Sequence, residues 1–164
     1  MKTLKKYLNK SFWRNKTVLI TGINGFVGGN LARQLIINGA NIIGITNSLK
    51  KNKFLKYSNL LPYIQFHNTN IKNYNNISQI LNNNKIDICF HLAAQVDVNI
   101  AKVDPYLTFE SNIKGTYNLL ECLRKHKNIK SIIVASSDKA YGEYKSVDLP
   151  YTENHDLRPL YPYD

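Results

Sequence analysis

The chain has 164 residues, 43% hydrophobic and 20% charged, with a formal net charge of +11. That length suits one domain able to bury a sizeable core. No apolar run is long enough to span a bilayer, and no cleavable apolar segment follows the basic stretch Met1 to Lys10; membrane and secretion readings fall away, and a cytoplasmic protein is expected.

The lysines are scattered and the arginines number only four. The charge therefore implies no base-reading cluster and no nucleic-acid partner, only a general attraction for phosphorylated small molecules. Cys89 and Cys122 are isolated from one another and read as buried thiols of a reducing compartment.

Residues 1–15 form a basic lead-in ending in Phe12-Trp13-Arg14. Thr17 to Thr21 is a short β-branched run stopped by Gly22, which predicts a buried strand. From Gly25, apolar residues at Phe26, Val27, Leu31, Leu35 and Ile36 recur at helical spacing until Gly39. Ile42 to Ile45 is a second strand. Residues 47–62 are irregular. Tyr63 to Phe66 is a third strand, and Ile77, Ile80 and Leu81 mark a short helix. Ile86 to Leu92 is a fourth strand.

Asp104-Pro105 then opens one long helix, the Asp as cap and the Pro in the first turn. Leu107, Ile113, Leu119, Leu120 and Leu123 form its apolar face, and His126 to Asn128 ends it. Ser131 to Ala135 is a fifth strand, and 138–164 is loop. Alternating strand and helix predict an α/β fold of Rossmann type: a doubly wound parallel sheet with helices on both faces, occupying residues 16–164.

Three glycines, Gly22, Gly25 and Gly28, lie between the first strand and the first helix. They permit a tight turn and close approach of a pyrophosphate, with the amides of the helix N-terminus facing the negative charge. In this place the turn points to dinucleotide binding; the bland alternative is a strand–helix turn without a ligand. At Thr46-Asn47, where an acid ordinarily holds the adenosine ribose, the residues are neutral. Lys50, Lys51 and Lys53 follow, either to pair with a 2′-phosphate or as a solvated basic loop.

From about Phe12 to Asp164 the sequence resembles the extended short-chain dehydrogenase/reductase (NAD-dependent epimerase/dehydratase) family. Thr21-Gly22-Ile23-Asn24-Gly25-Phe26-Val27-Gly28 is similar to its T-G-x-x-G-F-x-G. Asn70-Ile71 stands where the family has an Asp and an apolar residue beside the adenine. His91-Leu92-Ala93-Ala94-Gln95 resembles H-L-A-A, and Asn112 to Thr116 resembles N-x-x-G-T. Ser136-Ser137-Asp138-Lys139 resembles the sugar-nucleotide 4,6-dehydratases, and its Asp-Lys pair resembles CDP-glucose 4,6-dehydratases in particular. Taken without its context, the pair reads as a surface ion pair of little energetic weight.

The resemblance implies a cofactor, NAD ahead of NADP, held by Gly22, Asn24, Gly25, Phe26, Val27, Gly28, Thr46, Asn70, Ile71, Leu92, Ala93, Ala94, Gln95, Asn112 and Ser136. It implies catalysis by Ser137, Asp138, Lys139 and Tyr163 on a nucleotide sugar, CDP-glucose foremost, and no metal. Tyr163, 26 positions after Ser137, would take the proton of the sugar 4-hydroxyl, with Ser137 bonded to the same hydroxyl. Lys139 would remove the C5 proton, and Asp138 would protonate the departing 6-hydroxyl.

A free phenol ionises only near pH ~10, and the family's helper is a Lys four residues after the Tyr, which here falls at position 167. The chain is therefore expected to be a fragment, truncated before the last strands and a C-terminal sugar-nucleotide domain, and inactive alone. The complete protein is expected to be a homo-oligomer. A 4-epimerase of the same family and a non-catalytic dinucleotide-binding module remain alternatives.

Overall fold

The computed structural model describes residues 10–49 and 53–164. Most of the lead-in, 1–9, and the candidate phosphate partners Lys50 and Lys51 lie outside the described residues. In chain order the elements are α1 (Lys10–Trp13), β1 (Thr17–Thr21), α2 (Phe26–Ile37), β2 (Asn41–Thr46), α3 (Lys53–Tyr57), β3 (Ile64–Asn68), α4 (Tyr74–Asn82) and β4 (Ile88–His91). Then follow α5 (Val98–Val103), α6 (Pro105–Phe109), a π-turn (Glu110–Lys114), α7 (Gly115–Lys125) and β5 (Ser131–Val134). Short 3-10 turns occupy Leu61–Tyr63, Asp138–Tyr141 and Ser146–Asp148.

The five strands are all parallel, in the order β3-β2-β1-β4-β5. The sheet is the doubly wound one expected from the alternation of elements. Its side chains divide by the period of two along each strand. Leu19, Ile43, Ile45 and Cys89 face α4 and α7, meeting Ile77, Ile80, Leu81, Leu119 and Leu123. Val18, Ile20, Ile42, Ile64 and Ile88 face α2 and α3, meeting Ala32, Leu35 and Leu55. β1, paired on both edges and covered on both faces, is the most deeply buried strand.

At the amino ends of the strands Asp87 ties three of them together. Its carboxylate accepts the Thr17 N–H at 3.0 Å and pairs with Lys130 at 3.3 Å. The Thr17 hydrogen bond, chiefly, holds that carboxyl below its ordinary range. Among the described residues β5 is bonded only to β4, which leaves its other edge open, and Ile132, Ile133 and Val134 are exposed.

Several elements differ from the sequence reading. The irregular stretch 47–62 holds α3 and the start of the Leu61–Tyr63 3-10 turn. β3 starts one residue later and runs on to Asn68, and β4 is limited to Ile88–His91. A further helix, α5, precedes Asp104, capped by Asp97 through the Asn99 and Ile100 N–H groups. Asp104 caps α6 as expected, accepting the Leu107 N–H at 2.9 Å.

The expected single helix from Asp104 is interrupted by the π-turn, which displaces its faces. Leu107 and Ile113 are exposed, while Leu119, Cys122 and Leu123 are buried. A π-turn holds more residues than an α-turn, so the stripe before it does not continue into the stripe after it.

Candidate functional site

The carboxyl ends of the five parallel strands bring most of the sequence-predicted residues to one edge of the sheet. Gly22 leaves β1 with φ +70°, a left-handed backbone that glycine adopts without strain. A Cβ there would stand 2.8 Å from both Ala93 N and Leu92 O. At Gly28 a Cβ would stand 2.5 Å from Gly22 O, so α2 can sit this close to the turn only without a side chain.

Gly25 is the N-cap of α2 and offers no side-chain hydrogen bond, and the first turn holds no acid. Phe26 and Val27 point outward. Their amides and that of Gly28 belong to the first turn, where no intrahelical acceptor exists.

Asn24 stitches this turn to the end of β2. Its Nδ2 donates to Thr46 Oγ1 at 2.9 Å and to Ser48 O at 2.6 Å. Its Oδ1 is buried without a partner among the described residues, a state that ordered water or a ligand donor relieves. A dinucleotide fits this arrangement: a glycine turn without side chains at Gly22, Gly25 and Gly28, uncapped helix amides, and an unpaired buried acceptor beside them.

Further along the edge, Asn70 is exposed and its Oδ1 accepts the Lys72 N–H at 3.0 Å. Ile71 turns its side chain into the core and fills the space that Gly115 leaves open. The Gln95 backbone is clasped by Asn112, whose Oδ1 accepts the Gln95 N–H at 2.8 Å and whose Nδ2 donates to Gln95 O at 2.9 Å. The Gln95 side chain is engaged by Thr108 and the Asp97 backbone. Leu92 and Ala93 follow β4 beside Gly22, and Ala94 is exposed.

Sequence reasoning left His91 out of the site. The imidazole is buried between Thr21, at 2.6 Å from Nδ1, and Thr116, at 2.9 Å from Nε2. The Thr116 hydroxyl donates to Asn112 O at 2.6 Å, so it accepts from an Nε2–H, and Nδ1 accepts from the Thr21 hydroxyl. The Leu92 and Ala93 N–H groups complete Thr21 Oγ1, each at 3.2 Å. A neutral ring satisfies every polar side-chain atom of this Thr21–His91–Thr116 relay, and burial pushes the imidazole down to about 4. It joins the residue before Gly22 to the π-turn that carries Asn112. The placing of Thr116 in N-x-x-G-T was the available signal.

Beyond β5, Ser136 is exposed and Ser137 caps a 3-10 turn, its Oγ accepting the Lys139 N–H at 3.2 Å. Asp138 Oδ1 is 3.4 Å from Ser137 Oγ, and Asp138 and Lys139 face solvent. The following loop folds back through Arg158 N–H to Ala140 O, 3.1 Å. Its last turn is closed by Asp164 Oδ2, which accepts the Leu160 and Tyr161 N–H groups. Lys102 of α5 lies 4.4 Å from the centroid of the Tyr161 ring. Tyr163 sits in that turn, half-buried, with no hydrogen bond to Ser137, Asp138 or Lys139 among the described residues. Cys89 and Cys122 are buried, and burial pushes the Cys89 thiol up to about 12, which keeps it protonated and inert. Among the described residues there is no cluster of metal-binding side chains, and no helix is long and apolar enough to cross a membrane.

Residues 19–164 match the family model described as GDP-mannose 4,6 dehydratase. The chain belongs to the extended short-chain dehydrogenase/reductase family of nucleotide-sugar epimerases and dehydratases. Among the family's curated members, it is 32% identical over 146 residues to a putative UDP-glucose 4-epimerase of Methanocaldococcus jannaschii, covering 89% of this chain and 46% of that one. It is 30% identical over 157 residues to CDP-glucose 4,6-dehydratase of Salmonella typhimurium, covering 95% and 44%.

The chain thus spans about half the length of the curated relatives it matches. A solved UDP-glucose 4-epimerase from Thermotoga maritima, with UDP-glucose, superposes with a TM-score of 0.79 at 32% identity, covering 90% of this chain and 46% of that one. The UDP-glucose 4-epimerase of Thermus thermophilus in complex with NAD gives 0.79 at 26%, again covering 90% and 46%.

Proposed function

We propose that the chain supplies the dinucleotide-binding half of a nucleotide-sugar 4,6-dehydratase that uses NAD and acts on CDP-glucose. Gly22 to Gly28 would hold the pyrophosphate, Asn70 and the Ile71 backbone the adenine, and Leu92 to Gln95, Asn112 and Ser136 the nicotinamide side. Thr46 would border the adenosine ribose. The cofactor, when bound, supplies a hydride acceptor for sugar C4 and a hydride donor for C6. Tyr163 would take the 4-hydroxyl proton while Ser137 holds that hydroxyl in place. Lys139 would remove the C5 proton, and Asp138 would deliver a proton to the departing 6-hydroxyl.

The observation that carries this reading is Ser137-Asp138-Lys139, three adjacent side chains at the carboxyl end of β5, where such sheets bind ligands. A 4-epimerase is the second reading, favoured by the 32% identity to a putative UDP-glucose 4-epimerase. Epimerisation inverts C4 alone and gives Asp138 and Lys139 nothing to do at C5 and C6. The buried thiols support a reducing, cytoplasmic setting, and the open β5 edge supports association with further protein.

The test joins residues 1–164 to the remainder of the Salmonella typhimurium CDP-glucose 4,6-dehydratase and supplies CDP-glucose and NAD. A 4-keto-6-deoxy product that disappears in Asp138→Asn and Lys139→Met supports the proposal. A C4-inverted sugar without any keto product supports the epimerase instead. The polypeptide 1–164 by itself is expected to bind NAD without turnover.

A further inference from the structure

All 11 carboxylate side chains lie at or beyond Asp87, whereas 13 of the 22 lysines and arginines precede it. The unit from β1 through β3, which forms the adenosine side of the cradle, therefore contains no acid. The first carboxylate, Asp87, is at the wrong end of the sheet. It accepts the N–H of Thr17, at the start of β1, and roughly 13 Å of strand separates that point from Thr21.

At the end of β2, a carboxylate ordinarily accepts the ribose 2′-hydroxyl of NAD. Here stands Thr46, buried, with its Oγ1 receiving Asn24 Nδ2 at 2.9 Å and the Ser48 N–H at 3.2 Å. The second hydrogen of Asn24 Nδ2 goes to Ser48 O at 2.6 Å. The junction between glycine turn and β2 is thus closed by neutral groups alone.

A carboxylate in this position has two effects on a dinucleotide: it accepts the 2′-hydroxyl and it repels a 2′-phosphate. Thr46, its hydroxyl engaged by its neighbours, exerts no such repulsion, and the surrounding unit carries only positive formal charge. We propose that this chain does not discriminate against a 2′-phosphate and binds NADP as readily as NAD, with Asn24 and Thr46 as the pair that sets this tolerance. The inference rests on the reading of Gly22 to Gly28 as a dinucleotide cradle.

Isothermal titration of the 164-residue chain with NAD and with NADP tests it. The two dissociation constants are expected within tenfold of each other, and NADP binding is expected to weaken more than NAD binding as salt rises. Thr46→Asp can still accept from Asn24 and Ser48 while adding a negative charge, and is expected to weaken NADP relative to NAD by about tenfold. Because Thr46 is buried, the exposed Asn47→Asp provides a second variant with the same charge. NADP binding more than tenfold weaker than NAD in the unmodified chain overturns the inference and leaves the cradle intact. Binding of neither overturns both. Folded Asp variants with an unchanged ratio overturn the role given to Asn24 and Thr46.

Discussion

Gly22 and Gly39 both have positive φ, +70° and +86°, but their surroundings differ. A Cβ on Gly39 would meet nothing nearer than Arg14 at 3.6 Å, ordinary contact. Gly39→Ala therefore incurs only the left-handed backbone penalty, about 1–2 kcal/mol. A Cβ on Gly22 would stand 2.8–2.9 Å from Ala93 N, Leu92 O and Ala93 Cα, all backbone atoms of the segment that follows β4. Gly22→Ala carries the same penalty plus an overpacking cost of about 1–3 kcal/mol.

For a chain of this size each kcal/mol lowers Tm by about 2–4 °C. Gly39→Ala is expected to lose about 5 °C and Gly22→Ala about 10 °C in differential scanning calorimetry. The displaced turn is also expected to weaken NAD binding at least about tenfold in Gly22→Ala, with Gly39→Ala unchanged. Equal losses of Tm in the two variants, or wild-type NAD affinity in Gly22→Ala, would refute the argument that close approach, rather than backbone handedness, explains this glycine.

Protonation of His91 gives a second expectation. Its ordinary value of 6.5 falls to about 4 in the folded chain because burial penalises the charged ring. The unfolded chain therefore binds the proton more readily between those values, and stability present above pH 6.5 is lost as pH falls toward 4, by about 3 kcal/mol in all. Urea titrations from pH 7 to 4 measure this. His67, also lowered by burial, acts in the same direction, so His67→Asn is the background in which His91→Asn must flatten the curve. A slope untouched by His91→Asn would contradict the neutral-ring network.

Gly115→Ala places a Cβ 2.5 Å from Ile71 Cδ1 and is expected to destabilise by about 1–3 kcal/mol. Ile71→Val removes that methyl and should recover part of the loss in a double-mutant cycle; strictly additive costs would argue against the contact. Ile133→Lys, on the open β5 edge, should reduce concentration-dependent light scattering with a Tm change under about 2 °C.

The parts of the fold that were legible are those written in local pattern. The β1 run, the helical spacing of α2, the Gly39 stop and the Asp104 cap each need only neighbours in sequence. α3 was not legible because five residues are too few to establish a helical period. Its Phe54 is explained instead by Gly29, where a Cβ would stand 2.7 Å from the ring. The π-turn escaped because the apolar pattern from Leu107 to Leu123 assumes an unbroken period.

In the site, the backbone cradle at Gly22 to Gly28 was readable from glycine spacing. The fates of individual side chains were not. Thr46 is engaged by Asn24, 22 residues earlier, and Ile71 serves the core against Gly115. His91, a lone histidine in an apolar strand, joins partners 70 residues before it and 25 after. Such pairings exist only once the sheet has been assembled.

The central position of β1 also bears on the order in which the molecule comes together. Its two edges must be matched by strands at very different separations: Thr17 pairs with Asn41, 24 residues on, and Val18 with Ile88, 70 residues on. Loop closure over the longer span costs about 1 kcal/mol more in chain entropy. Distant pairings of this kind slow folding. During synthesis the β1–β2 edge can form as soon as the first crossover has emerged, whereas the β1–β4 edge must wait for His91. Until then the strand that ends deepest in the protein carries a bare row of amides and carbonyls along one side. In this nascent chain the future core, rather than the future surface, is the interval of greatest exposure to mispairing.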